Sequence, residues 1–96
     1  MQFEIDFSTS FEKALLFYKK RNKLVLLKIQ NVIKIMHLDP FNSGLKTHKV
    51  NTSQYGKVYS SRVTGDLRIL WDYNNSEMRI LCLALGGHSG SKNVYI

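Results

Sequence analysis

The stretch RVTGDLRILWDY, residues 62–73, decides the fold. It carries two arginines and an aspartate in an otherwise apolar ribbon, interrupted by Thr-Gly-Asp. Those three are turn residues, so the stretch reads as the second half of a β-hairpin, with KVYSSRV before the turn and LRILWDYN after it. Alternate residues of a strand share a face. Arg68, Leu70 and Asp72 therefore point one way, and Leu67, Ile69, Trp71 and Tyr73 the other. The second set suits a covering layer of helices, which leaves Arg68 on an open face. Arg62 precedes Arg68 across the turn, so the two guanidinium groups are placed to converge. Paired arginines fit phosphate, because each presents a planar fork of donors. A cross-strand pairing of either arginine with Asp66 or Asp72 fits the same spacing, and both readings are open here.

The rest of the chain supplies the covering layer. QFEIDF, residues 2–7, alternates as a half-buried strand. Thr9 with Glu12 reads as a capping box, which starts a helix near Ser10. Phe11, Ala14, Leu15 and Tyr18 form its apolar stripe. Residues 19–23, KKRNK, read as the corner to a second helix, with Asn22 as its cap. That helix, residues 23–38, buries Val25, Ile29, Val32 and Met36 and ends at Asp39-Pro40. His37, in its last turn, reads as a surface imidazole. Residues 45–50 read as a short strand and NTSQYG as a turn. MRILCLAL is apolar on both faces, so it reads as a central strand or one covered on both sides. The sum is one α+β domain over 1–96: a strand, an antiparallel two-helix hairpin, then a mainly antiparallel three- to four-stranded sheet.

Composition narrows the function classes. Fourteen Lys and Arg stand against seven Asp and Glu, a formal charge of +7. Such a field favours polyanionic partners. The basic run Lys19, Lys20, Arg21 and Lys23, with Lys46, Lys49 and Lys92, supplies candidate RNA contacts. No apolar window is long enough for a membrane span, and the start lacks a secretory pattern, so a cytoplasmic protein is expected. The single cysteine, Cys82, excludes an internal disulfide and reads as a buried strand thiol. One Cys and three scattered His show no metal-ligand spacing, and no cofactor motif is present. His88 follows two glycines in LGGHSG, residues 85–90, where an imidazole is placed to move protons. Tyr95 could stack on a base or pack the chain end.

These motifs together resemble the RelE/ParE superfamily of toxin–antitoxin toxins. The resemblance spans nearly the whole chain: the helix hairpin ending in LDP, the HKV segment, RVTGDLRILWDY and the end LALGGHSGSKNVY. It is closest to the ribosome-dependent messenger RNA endonucleases. The GGH ending is similar to that of the YafQ-like branch, which implies a catalytic role for His88. The same resemblance implies catalytic roles for Asp66 and, more loosely, His48. Arg62 stands where that branch has a histidine. Arg68 is similar to the arginine that contacts the scissile phosphate in the RelE and YoeB branches, and Tyr95 to the C-terminal tyrosine of the RelE branch. The resemblance implies metal-independent cleavage by attack of the ribose 2′-hydroxyl, a cognate antitoxin, and the ribosome and messenger RNA as partners. No membrane partner is expected, and no homo-oligomer is predicted. Two alternatives share the fold: a ParE-like inhibitor of DNA gyrase, and a degenerate toxin that binds only its antitoxin.

Overall fold

A computed structural model describes residues 2–87. The order is β1 (Glu4–Phe7), α1 (Thr9–Arg21), α2 (Lys23–Leu38), a 3₁₀ turn (Ser43–Leu45), β2 (His48–Thr52), β3 (Gly56–Arg62), β4 (Leu67–Asn74) and β5 (Arg79–Gly87). The five strands form one sheet in the order β1-β5-β4-β3-β2. β1 runs parallel to β5, and the other neighbours are antiparallel. The expected α+β fold is therefore present, with β1 completing the sheet as its fifth strand.

Both helices pack on one face. Phe11 of α1 and Ile29, Val32 and Met36 of α2 share a core with Leu67, Ile69 and Trp71 of β4 and Ile80, Cys82 and Leu85 of β5. The β4 residues are those that the alternation assigned to the covered face. A bulge near Leu70 and Trp71, where Ala84 and Cys82 are the consecutive β5 partners, keeps Leu85 and Cys82 on the same side.

Several boundaries differ from the sequence reading, each for a tertiary reason. Ser8, not Thr9, caps α1. Its hydroxyl accepts from Phe11 N–H and donates to the Leu83 carbonyl of β5, at 3.0 and 2.7 Å. One side chain thus starts the helix and ties it to the sheet. Lys19, Lys20 and Arg21 belong to the last turn of α1, and the corner shrinks to Asn22. Asn22 ends α1 through its N–H to Tyr18 O and caps α2 by accepting from Val25 N–H.

The strand expected at 45–50 begins only at His48. Leu45 is buried at the 3₁₀ turn, and Lys46 takes a left-handed conformation (φ 53°) that swings the chain into β2. Asn51 and Thr52, expected in a turn, extend that strand. β5 lies between two neighbours, but Leu81 is 41% exposed, so one face of it is open there. His37 is half-buried rather than on the surface. It exchanges two bonds with Phe3: the ring Nδ1–H donates to Phe3 O, and Phe3 N–H donates to His37 O.

Cys82 is fully buried, and burial pushes its thiol up to about 12. An unfolded cysteine releases its proton near about 8.5. Between those values the folded chain holds a proton that the unfolded chain has lost, so stability falls as pH rises. The expected result is a drop in the urea midpoint between about pH 8 and pH 11 that is larger than in Cys82→Ala. Equal drops in the two proteins would show that Cys82 contributes nothing to the pH dependence.

Candidate functional site

The face of the sheet opposite the helices is built from the alternate residues: Arg68, Leu70 and Asp72 of β4, Val58, Ser60 and Arg62 of β3, and His48 and Val50 of β2. Leu70, Ser60 and Val58 are buried on it. At the end of the sheet where β3 turns into β4, Arg62 and Arg68 are direct cross-strand partners. Residues so placed hold their Cβ atoms about 4.5–5.5 Å apart, and like charges there repel. Asp72 does not neutralise Arg68 along its own strand. It lies four residues on, roughly 13 Å away at the rise of a strand, opposite Leu81. The described ion pairs of Arg79 with Glu4 (3.0 Å) and Asp6 (3.2 Å) lie towards that other end too. The face is thus polarised, basic at the hairpin turn and acidic opposite.

The turn is built to carry the arginines. Val63 and Thr64 N–H both donate to Leu67 O, while the Thr64 hydroxyl accepts from Asp66 and Leu67 N–H. Small polar side chains mimic turn backbone in this way. The Thr64 carbonyl, held outward, accepts from Arg68 Nη1 at 2.9 Å. Arg62 Nη2 lies 3.9 Å from the position that a Cβ on Gly65 would take, so both side chains gather over one loop.

His48 opens β2 opposite Ser60, on the same face and at the same end. Arg62 is its diagonal neighbour, at about 7–8 Å by strand geometry. His48 Nδ1 is 3.0 Å from Lys46 O. A carbonyl can only accept, so Nδ1 carries the hydrogen. That tautomer leaves Nε2 with its lone pair, the form that takes up a proton. Gly86 stands opposite Arg68, and Gly87 opposite Leu67. The last described residues of β5 therefore stand beside the arginine pair. His88, Lys92 and Tyr95 lie outside the described residues.

Other candidates are apart from this cluster. Asp66 sits on the turn but acts toward the helices, where its charge is the second cause, after burial, that raises the Tyr18 hydroxyl above its ordinary pKa. Lys49 projects from the opposite face of β2, with Nζ 5.3 Å from the Tyr59 ring centre. Lys19, Lys20, Arg21 and Lys23 form an exposed basic elbow between the helices, with Arg21 over the Phe17 ring. Lys46 is exposed beside His48. Among the described residues no group of three or more His, Cys, Asp and Glu is arranged to hold a metal ion, and no helix is long and apolar enough to cross a membrane.

The sequence reading missed Thr64 and Tyr18. Thr64 had a local signal, a hydroxyl two and three residues before the amides it caps. Tyr18 had none, because only the folded chain brings it to Asp66.

A two-helix layer on one face of a five-stranded sheet is a fold shared with solved toxins named RelE, YoeB and YafQ. Solved structures show the likeness. A YoeB/ParE toxin from Agrobacterium tumefaciens is 17% identical with a TM-score of 0.75, the match covering 90% of this chain and 99% of that one. The archaeal RelE–RelB complex from Pyrococcus horikoshii OT3 gives 18% and 0.74, covering 95% and 100%. The E. coli DinJ–YafQ toxin–antitoxin complex gives 18% and 0.72, covering 92% and 94%. No family model matches the sequence, and no curated protein matches it.

Proposed function

We propose that this protein is the toxin of a toxin–antitoxin pair and that it cleaves messenger RNA on the ribosome. The observation that carries the reading is the direct pairing of Arg62 with Arg68 on the face opposite the helices. Two guanidinium groups forced together gain when a phosphate settles between them. In this reading His48 Nε2 takes the proton of a ribose 2′-hydroxyl, whose oxygen attacks the neighbouring phosphorus. The bond to the 5′-oxygen breaks, that oxygen takes a proton from His88, and a 2′,3′-cyclic phosphate is left. The arginines carry the extra negative charge of the crowded phosphorus, usually the larger contribution to such a rate. The resemblance supplies the role of His88. The hydrogen bond from Nδ1 to Lys46 O supports that of His48.

The antitoxin is proposed to be an acidic segment that covers the basic end of the face and folds as it docks. The exposed helical elbow, Lys19 to Lys23, is proposed to contact ribosomal RNA.

Primer extension on ribosome-bound messenger RNA tests the reading. The wild type should cut, His88→Ala should be slower by about 10²-fold or more, and His48→Ala should be slowed by a smaller factor. DNA damage on induction without RNA cleavage would replace the nuclease by a gyrase inhibitor.

A further inference from the structure

Phe41 is 47% exposed, although it stands on a cluster of aromatic rings. Its ring centre lies 5.3, 5.6 and 5.5 Å from those of Tyr59, Trp71 and Tyr73. The turn that carries it is pinned twice. Asp39 Oδ1 accepts from the Phe41 N–H, and the Pro40 carbonyl accepts from the Thr47 hydroxyl. A large apolar side chain is thus held in place with half of its surface in water. The strands beside it are basic. Lys49 is the cross-strand partner of Tyr59, Asn51 that of Lys57, and Tyr59 that of Trp71. Lys49, Asn51, Lys57 and Tyr59 therefore share the helix-bearing face. Lys49, Asn51 and Lys57 are all exposed, so the helices leave this margin open. Neither β2 nor β3 contains a carboxylate. Lys49 Nζ lies 5.3 Å from the Tyr59 ring centre, which sets an ammonium beside the rings.

We propose that this margin binds an unpaired stretch of the messenger beside the cut, with one base stacked on Phe41 and the flanking phosphates on Lys49 and Lys57. An exposed ring next to lysines suits unpaired RNA, whose bases stack on aromatic side chains while its backbone meets cations. A duplex keeps its bases inside. A second copy of this chain would bring lysine against lysine. The choice of the messenger rests on the nuclease reading and on the place of β2. That strand is the edge of the sheet, and successive strand residues face opposite sides. His48 therefore belongs to the face with the arginine pair, and Lys49 to this one. An RNA strand that passes from Arg62 and Arg68 over His48 reaches Lys49 by crossing the edge of a single β-strand. The bond from Thr47 to Pro40 joins the same two places, since Thr47 adjoins His48 and Pro40 adjoins Phe41.

Messengers that carry one abasic nucleotide at successive positions near the cut, placed on ribosomes, locate the stacked base. With the intact messenger, Phe41→Leu should lower kcat/KM by about tenfold, the usual scale of one lost base–aromatic stack. Leucine keeps an apolar group on Trp71 but offers no ring face, and thermal unfolding checks that the fold is kept. At one position the abasic messenger should cost the wild type the same factor and cost Phe41→Leu nothing further. Losses that add at every position would put the partner of Phe41 outside the messenger. An unchanged kcat/KM would make Phe41 only a lid on the aromatic cluster. Either result overturns the proposal. A wild type that cuts nothing sinks the nuclease reading alone, and the surface is then judged by binding. Fluorescence anisotropy compares labelled RNA of a dozen nucleotides as a single strand and as a duplex. Tighter binding of the single strand, weakened about tenfold by Phe41→Leu, supports the surface. Lys49→Gln and Lys57→Gln, which leave the core intact, should each lower the slope of log affinity against log salt by about 0.7. Equal binding by Phe41→Leu and the wild type, or tighter binding of the duplex, overturns it.

Discussion

Arg68→Ala is expected to abolish growth inhibition and to slow messenger RNA cleavage by about 10²–10³-fold, the usual cost of losing one fixed donor to a developing anion. The chain should still fold. Arg68 is half-buried, and its bond to Thr64 O is lost, but so is its repulsion with Arg62 across the strand pair. Two opposing changes of similar size leave the unfolding temperature little altered. Arg68→Lys should recover little activity. A lysine ammonium is a point charge, and it cannot hold the Thr64 carbonyl and a phosphate oxygen in one plane as a guanidinium does. Growth on induction, single-turnover cleavage and thermal unfolding together decide the matter. A fully toxic Arg68→Ala would make the arginine a turn-stabilising residue and return the phosphate to other groups.

Features set by neighbouring residues were legible in the sequence, and features set by distant ones were not. The span of α2 followed from its apolar period, the Asn22 cap and the proline stop, all local. The face of Arg68 followed from strand alternation. Its register with Arg62 followed from the short turn. By contrast, Ser8, Thr9 and Ser10 all offer a capping hydroxyl, and only the Leu83 carbonyl on β5 favours Ser8. Leu45 reads as a strand residue because it is apolar, yet it is buried as a plug before β2. His48 was a weak candidate by sequence. Its tautomer, which suits it to take a proton, is set by Lys46 O and appears only when the left-handed turn at Lys46 has formed. Asp66 and Tyr18 are linked by the packing of the turn against the helices, which no pattern in either segment announces.

Trp71 is where the site and the core meet, and its removal is the second large effect expected. The residue is fully buried, and its indole N–H donates to Ser61 Oγ at 2.8 Å. Thr47 donates its hydroxyl to Pro40 O at 2.9 Å, so the 2.7 Å contact between the two hydroxyls is donated by Ser61. The order is therefore fixed: Trp71 to Ser61, Ser61 to Thr47, Thr47 to Pro40. Thr47 precedes His48, and Ser61 precedes Arg62, so the chain of bonds holds two site residues in register from the covered side. Trp71→Ala removes the largest side chain of the core and should cost about 3–5 kcal/mol. A domain of this length has on the order of 5–15 kcal/mol in all, so the variant should be partly unfolded at growth temperature and lose toxicity for that reason. Trp71→Phe should lose less, since the ring volume is largely kept. Ser61→Ala should cost about 1–3 kcal/mol, because it leaves the buried indole N–H without its acceptor. Urea unfolding followed by far-ultraviolet circular dichroism ranks the three, and fluorescence of the single tryptophan follows Ser61→Ala directly. If Ser61→Ala unfolded at the wild-type urea midpoint, the hydroxyl chain would carry no stability. His48 would then owe its position to the β2 ladder and the Lys46 turn.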